Sequence, residues 1–144
     1  MTLQQFKSTI TDRVLHITYN IYDSVLLDEL ESRDDLTDES EYLQCAAIRI
    51  PYGKSFQAHR HIRCDRTTDM TQEAWVVLKG AVAVDYYDEE DNRIGSKIIE
   101  EGGVTVTFGG GHSYESLTDD TLVYEFKSGP YFGRDADKVA IENE

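Results

Sequence analysis

From Thr71 to Lys127 the chain reads TQEAWVVLKGAVAVDYYDEEDNRIGSKIIEEGGVTVTFGGGHSYESLTDDTLVYEFK, and this stretch decides the fold class. Runs rich in β-branched and aromatic residues alternate with clusters of Gly, Asp and Asn, the pattern of short strands separated by turns. Thr71 to Lys79 and Ala81 to Tyr87 read as strands parted by Gly80. Asp88-Glu89-Glu90-Asp91-Asn92-Arg93 reads as a polar hairpin turn. Ile94 to Glu100, Val104 to Phe108, His112 to Leu117 and Thr121 to Lys127 complete the series. Short strands at near-regular spacing predict an all-β sandwich or barrel.

Upstream, Tyr42 to Ile50 reads as a strand ended by Pro51-Tyr52-Gly53, and Phe56 to Ile62 as the next. Val14 to Tyr19, with Ile21 and Tyr22, reads as extended structure. Asp28 to Glu41 holds eight acids against the single base Arg33, which predicts a solvated loop or short helix. It lacks the glycine turn of a calcium loop. The one helix candidate of any length is Asp23 to Glu31. No internal repeat or linker divides the chain. A single domain over 1–144 is expected, with a barrel core at about 42–130 and an N-terminal extension of strands and acidic loop at 1–41.

The chain has 144 residues, with 14 Lys and Arg against 28 Asp and Glu, a formal charge of −14. Such a surface repels nucleic-acid phosphates and anionic membranes. No apolar run reaches the roughly 20 residues of a membrane span. Met1 to Ile10 does not read as a signal peptide. Cys45 and Cys64 form no metal-type pair and read as reduced thiols. The expectation is a cytoplasmic domain that takes a small molecule, with neither nucleic acid nor membrane as partner.

Four histidines are present: His16, His59, His61 and His112. His16 reads as a satisfied polar residue. His59 and His61, two apart on a strand, would point to one face and converge on one ion. Glu73 opens the next strand and His112 follows three glycines. Three imidazoles and a carboxylate suit a divalent transition metal such as Zn, Fe, Mn, Ni or Co, with open positions for water or substrate.

The glycine spacing sharpens this pattern. Gly53 lies six residues before His59, Glu73 seven before Gly80, and Gly103 nine before His112. Together, Gly53-x5-His59-x-His61, Glu73-x6-Gly80 and Gly103-x5-Gly109-Gly110-Gly111-His112 resemble the two cupin motifs. The segment from Leu122 to Tyr131 is weakly similar to the closing strand of small cupins from polysaccharide gene clusters. The resemblance implies a double-stranded β-helix, the RmlC-like jelly-roll barrel, with His59, His61, Glu73 and His112 as ligands of one metal. It also implies a homodimer, with N-terminal strands exchanged between subunits.

The chain departs from the family where eleven residues separate His61 from Glu73, which predicts a longer hairpin over Ile62 to Gln72. Gly109 replaces the proline of the second motif, and the spacer before His112 is shorter. Strand parity puts Trp75 inward beside Glu73 and Tyr114 beside His112. Gln44, Gln57, Trp75 and Tyr124 are candidate substrate contacts, and Tyr114 a candidate proton donor. Three activities follow as expectations. In one, a metal acts as Lewis acid on a sugar derivative or keto acid, in isomerase, epimerase or oxygenase chemistry. In another, the chain is a binding module without turnover. In the third, it is a metal-free sugar-nucleotide epimerase-like cupin.

Overall fold

The computed structural model describes residues 3–23 and 32–142. Ten strands carry the fold: β1 (Gln4–Lys7), β2 (Val14–Asn20), β3 (Ser32–Asp35), β4 (Ala46–Arg49), β5 (Glu73–Lys79), β6 (Ala81–Tyr87), β7 (Arg93–Glu100), β8 (Gly103–Thr107), β9 (Gly111–Ser116) and β10 (Leu122–Lys127). A 3-10 turn spans Ile21–Asp23 and one helical turn spans Arg134–Asp137. The all-β expectation holds, and all pairings are antiparallel.

The strands form three layers. A five-stranded sheet, in the order β1-β2-β8-β5-β10, lies in the middle. The hairpin β3-β4 covers one face and the three-stranded sheet β7-β6-β9 covers the other. This explains why β2 and β8 are buried along almost their whole length. Side chains of alternate parity enter different cores. Ile17, Tyr19, Ala74, Val104 and Val106 meet Leu36 and Ala47 on the hairpin side. Val77 meets Val82, Val84, Tyr86 and Ile99 on the other. Each large apolar side chain so buried contributes roughly 1.5–3 kcal/mol.

One side of this sandwich is closed and the other is open. Phe6 of β1 reaches across to Tyr86, ring centroids 4.3 Å apart, and lies against Gly95 of β7 where a Cβ would clash. On the opposite side, β10 pairs only with β5 and β9 only with β6 among the described residues. The two sheets stack without closing into a barrel there.

Several boundaries depart from the sequence expectations. The strand expected over Tyr42 to Ile50 is only Ala46–Arg49, because the Leu43 amide donates to the Gln72 side chain instead of to a ladder. The strand expected over Phe56 to Ile62 is absent, as is the hairpin over Ile62 to Gln72. Residues 52–70 form an exposed, irregular arm. Ser32–Asp35, in the stretch expected to be loop or short helix, is a strand paired with β4. Of the helix candidate Asp23 to Glu31, residues 24–31 lie outside the described residues. The hairpin turn at 88–93 is as expected: Asp88 Oδ1 accepts from the amides of Glu90 at 3.0 Å and Asn92 at 2.9 Å.

Candidate functional site

Register builds a polar row across the middle sheet. His16 of β2 lies opposite Thr107 of β8, Thr107 opposite Glu73 of β5, and Glu73 opposite Lys127 of β10. These side chains share the face toward the three-stranded sheet, where His112 of β9 comes over the row. His112 Nε2 stands 3.4 Å from Glu73 Oε1, and Lys127 Nζ stands 3.6 Å from Glu73 Oε2. The indole N–H of Trp75 donates to Glu73 Oε1 at 3.0 Å. Burial opposes ionisation of Glu73. The hydrogen bond and charge of His112, with Lys127 and the indole behind, outweigh it and hold the carboxyl below its ordinary value.

A hydrogen-bond chain fixes the orientation of His112. His16 is fully buried, and its Nε2 lies 3.0 Å from the carbonyl oxygen of Tyr87. A carbonyl only accepts, so this nitrogen carries the proton. Burial pushes His16 down to about 4, so it is neutral and its Nδ1 is an acceptor. Thr107 Oγ1, 2.9 Å away, therefore donates to it. The same oxygen lies 3.1 Å from His112 Nδ1 and accepts a hydrogen bond from its N–H. With Nδ1–H committed to Thr107, Nε2 is the nitrogen turned toward Glu73, the one a proton or a metal would take, and the ring is set by a partner behind it.

A carboxylate oxygen and an imidazole nitrogen at this distance call for positive charge between them. A proton on Nε2 supplies it as an ion pair, and a divalent ion supplies it by accepting both donors. Ligand atoms about 2.1 Å from one ion stand roughly 3.0–3.4 Å apart at octahedral to tetrahedral angles. The separation of Glu73 and His112 lies within that range. The donor chemistry and spacing of this pair fit a metal.

Beside the pair, Tyr114 stacks on Trp75 with centroids 3.8 Å apart and planes at 11°. Its hydroxyl is buried with no well-formed hydrogen bond among the described residues, while the nearby Thr107 side chain favours its ionised form. Burial and the Glu73 charge push the phenol upward, so it stays protonated and available as a donor.

The other expected site residues lie elsewhere. The imidazoles of His59 and His61 are T-shaped at 5.4 Å from one another on the exposed arm. No three His, Cys, Asp or Glu side chains converge as a metal site among the described residues. Gln57 lies exposed on the same arm, where its carbonyl meets His59 Nδ1. Gln44 is committed to the turn before β4, bonded to Thr37 and to the carbonyls of Asp38 and Glu41. Tyr124, opposite Val76 in register, occupies the other face of β10 from Lys127 and is exposed. Trp75 is at the pair, but one face is covered by Tyr114 and its N–H is engaged, so it positions Glu73.

His16, Thr107 and Lys127 belong to the site and were not expected in it. His16 is a satisfied polar residue, as its sequence context predicts, with both ring nitrogens engaged. Its alternation with Leu15 and Ile17 offered the one available signal. Two concavities elsewhere do not include the pair: a small one of 60 Å³ near Asn20 and Lys97, and a cleft of 330 Å³ between Arg13, Glu41 and Met70. No helix among the described residues is long and apolar enough to cross a membrane. No protein-family model, curated protein or solved structure matches the chain.

Proposed function

We propose that the protein is a metal-binding cupin that acts on a small polar molecule, a sugar derivative or keto acid, with no nucleic acid or membrane involved. One observation carries this reading. Glu73, from the first motif, and His112, from the second, come from different sheets and meet at 3.4 Å. The strand orders β8-β5-β10 and β7-β6-β9 support it, because they are what a jelly roll places around such a site. Glu73 and His112 would hold one divalent ion, with His59 and His61 completing the set. The ion supplies Lewis acidity toward a carbonyl or enediolate oxygen. Tyr114 donates a hydrogen bond or proton to an oxygen placed near the pair, and Lys127 neutralises excess negative charge there. Metal-free acid–base chemistry by the His112–Glu73 dyad with Tyr114 is the second reading. The separate position of the two arm histidines favours it.

Elemental analysis and Co(II) titration test the choice. About one transition metal per chain is expected, with loss on His112→Ala and on Glu73→Gln. A chain that purifies without metal and takes up none of the five candidate ions overturns the first reading in favour of the dyad. Metal binding with no turnover on sugar nucleotides, keto acids or oxygen-dependent substrates makes the chain a binding module.

A further inference from the structure

The arm and the open side of the sandwich are complementary. Every residue from 52 to 70 is exposed, including Tyr52, Phe56 at 65%, Ile62 at 80% and Met70. The hydrogen bonds of the His59, Arg66 and Thr68 side chains stay within the arm. On the body, β9 and β10 each present a row of backbone groups without a ladder partner among the described residues. Such an edge is a template for another strand. Beside that edge Leu122 at 58%, Tyr124 at 60% and Phe126 at 53% are exposed. One chain therefore leaves two apolar surfaces uncovered.

Charge points the same way. The arm has four bases, Lys54, Arg60, Arg63 and Arg66, against two acids, Asp65 and Asp69. The remaining ten Lys and Arg of the chain face 26 acids. Two copies repel through their bodies, whereas an arm of one attracts the body of the other. The base of the arm is held in place. Gln72 bonds to the Leu43 amide and to Glu41, and Glu41 also binds Arg13 at 3.1 Å.

We propose that residues 52–70 are traded between two copies of this chain. Each arm lies along the β9 and β10 edges of the other copy and brings His59 and His61 to that copy's Glu73–His112 pair. The exchange stands on the edges, the apolar surfaces and the charge. The delivery of the imidazoles rests on the metal reading above. The arrangement is isologous, so each copy gives and receives one arm.

Sedimentation and hydrogen exchange test the exchange without any metal. Wild type is expected at twice the chain mass of 16.4 kDa, with slowed amides in the arm, β9 and β10. Phe56→Asp combined with Ile62→Asp is expected to sediment as a monomer and to lose that protection, while β2, β6 and β8 stay protected and so report an intact fold. A monomeric wild type overturns the proposal, as does a dimer that survives the double substitution. Co(II) then tests the delivery. His59→Ala/His61→Ala chains refolded together with Glu73→Ala/His112→Ala chains are expected to recover about a quarter of wild-type capacity, from the one complete site in each mixed dimer. Wild type that binds Co(II) while the mixture binds none shows each arm serving its own chain, and overturns the exchange. A dimer with the expected protection in which no form binds Co(II) supports the exchange and refutes the metal reading.

Discussion

His16 makes this fold acid-sensitive in a way that can be isolated. It is fully buried and neutral, with burial as the main cause of its fall from 6.5 to about 4. The positive charge of His112 adds to the fall, and the bond to Tyr87 opposes it. Below pH 6.5 the unfolded chain takes up a proton that the folded chain refuses. The contribution is therefore complete above that pH, is lost as pH falls toward 4, and levels off below. The full difference is about 3 kcal/mol, of which about 2 kcal/mol is lost by pH 5. For a domain of this size that corresponds to roughly 6 °C in Tm.

Other groups titrate in the same range, so the comparison must be a difference. His16→Gln keeps a donor and an acceptor but cannot titrate. Thermal melts of wild type and variant at pH 7.5 and pH 5 are expected to show the gap in Tm narrowing by about that amount on acidification. The variant is less stable at neutral pH, but its own slope lacks the histidine's share. Parallel pH slopes would refute the reasoning, as would an NMR titration of folded His16 centred near its ordinary value.

Further outcomes follow from the same geometry. Thr107→Val removes the hydroxyl between the two imidazoles, and Thr107→Ser keeps it; long-range nitrogen–proton NMR should show His112 protonated on Nδ1 in wild type and Ser but not in Val. Gly110 has φ +70 and a Cβ there would overlap the Tyr87 carbonyl, whereas Gly53, at φ +78, has open space. Gly110→Ala should thus lose clearly more stability in urea unfolding than the ~1–2 kcal/mol of left-handed strain expected for Gly53→Ala. Ile17→Ala, at a core position 1% exposed, should cost about 2–5 kcal/mol by the same measurement. Asp88 is held down to about 2 by the Thr9 hydroxyl and the turn amides, so its contribution is lost as pH falls from 3.8 through that value. Asp88→Ala should lower Tm at neutral pH and flatten this acid limb.

The strands from Glu73 to Lys127 were legible because each carries its own alternation and is bounded by its own turn. Asp88 and Gly110 show the turn chemistry directly. Phe56 to Ile62 alternates just as well, yet it forms no strand, because alternation specifies a face and a strand also needs a neighbour's backbone. The opposite error occurs at Ser32–Asp35. Its charges read as solvated loop, but Ala46–Arg49 supplies a partner and its side chains remain largely exposed on the hairpin. The motif spacing singled out Glu73 and His112, and the structure brings them together. It could not show Lys127, which meets Glu73 through the register of β10 on β5, or Thr107, which meets both imidazoles through two further registers.

The polar row is hard to explain by stability alone. A sandwich core would be at least as stable with valine at 107 and leucine at 73, since buried ion pairs commonly lose to well-packed apolar residues. Here His16, Thr107, Glu73 and Lys127 occupy consecutive positions across four strands, on the face that also carries Val77 and packs against Tyr86 of the three-stranded sheet. Each member limits the freedom of the next. Tyr87 fixes the His16 tautomer, His16 fixes the Thr107 hydroxyl, and Thr107 fixes His112. His112, with Lys127 and Trp75 behind it, keeps Glu73 ionised and aimed. The result is one imidazole nitrogen and one carboxylate oxygen facing each other, with a buried phenol alongside. A core maintained only for packing has no need of that polarity, whereas a cation site or an acid–base dyad needs both atoms presented in this way.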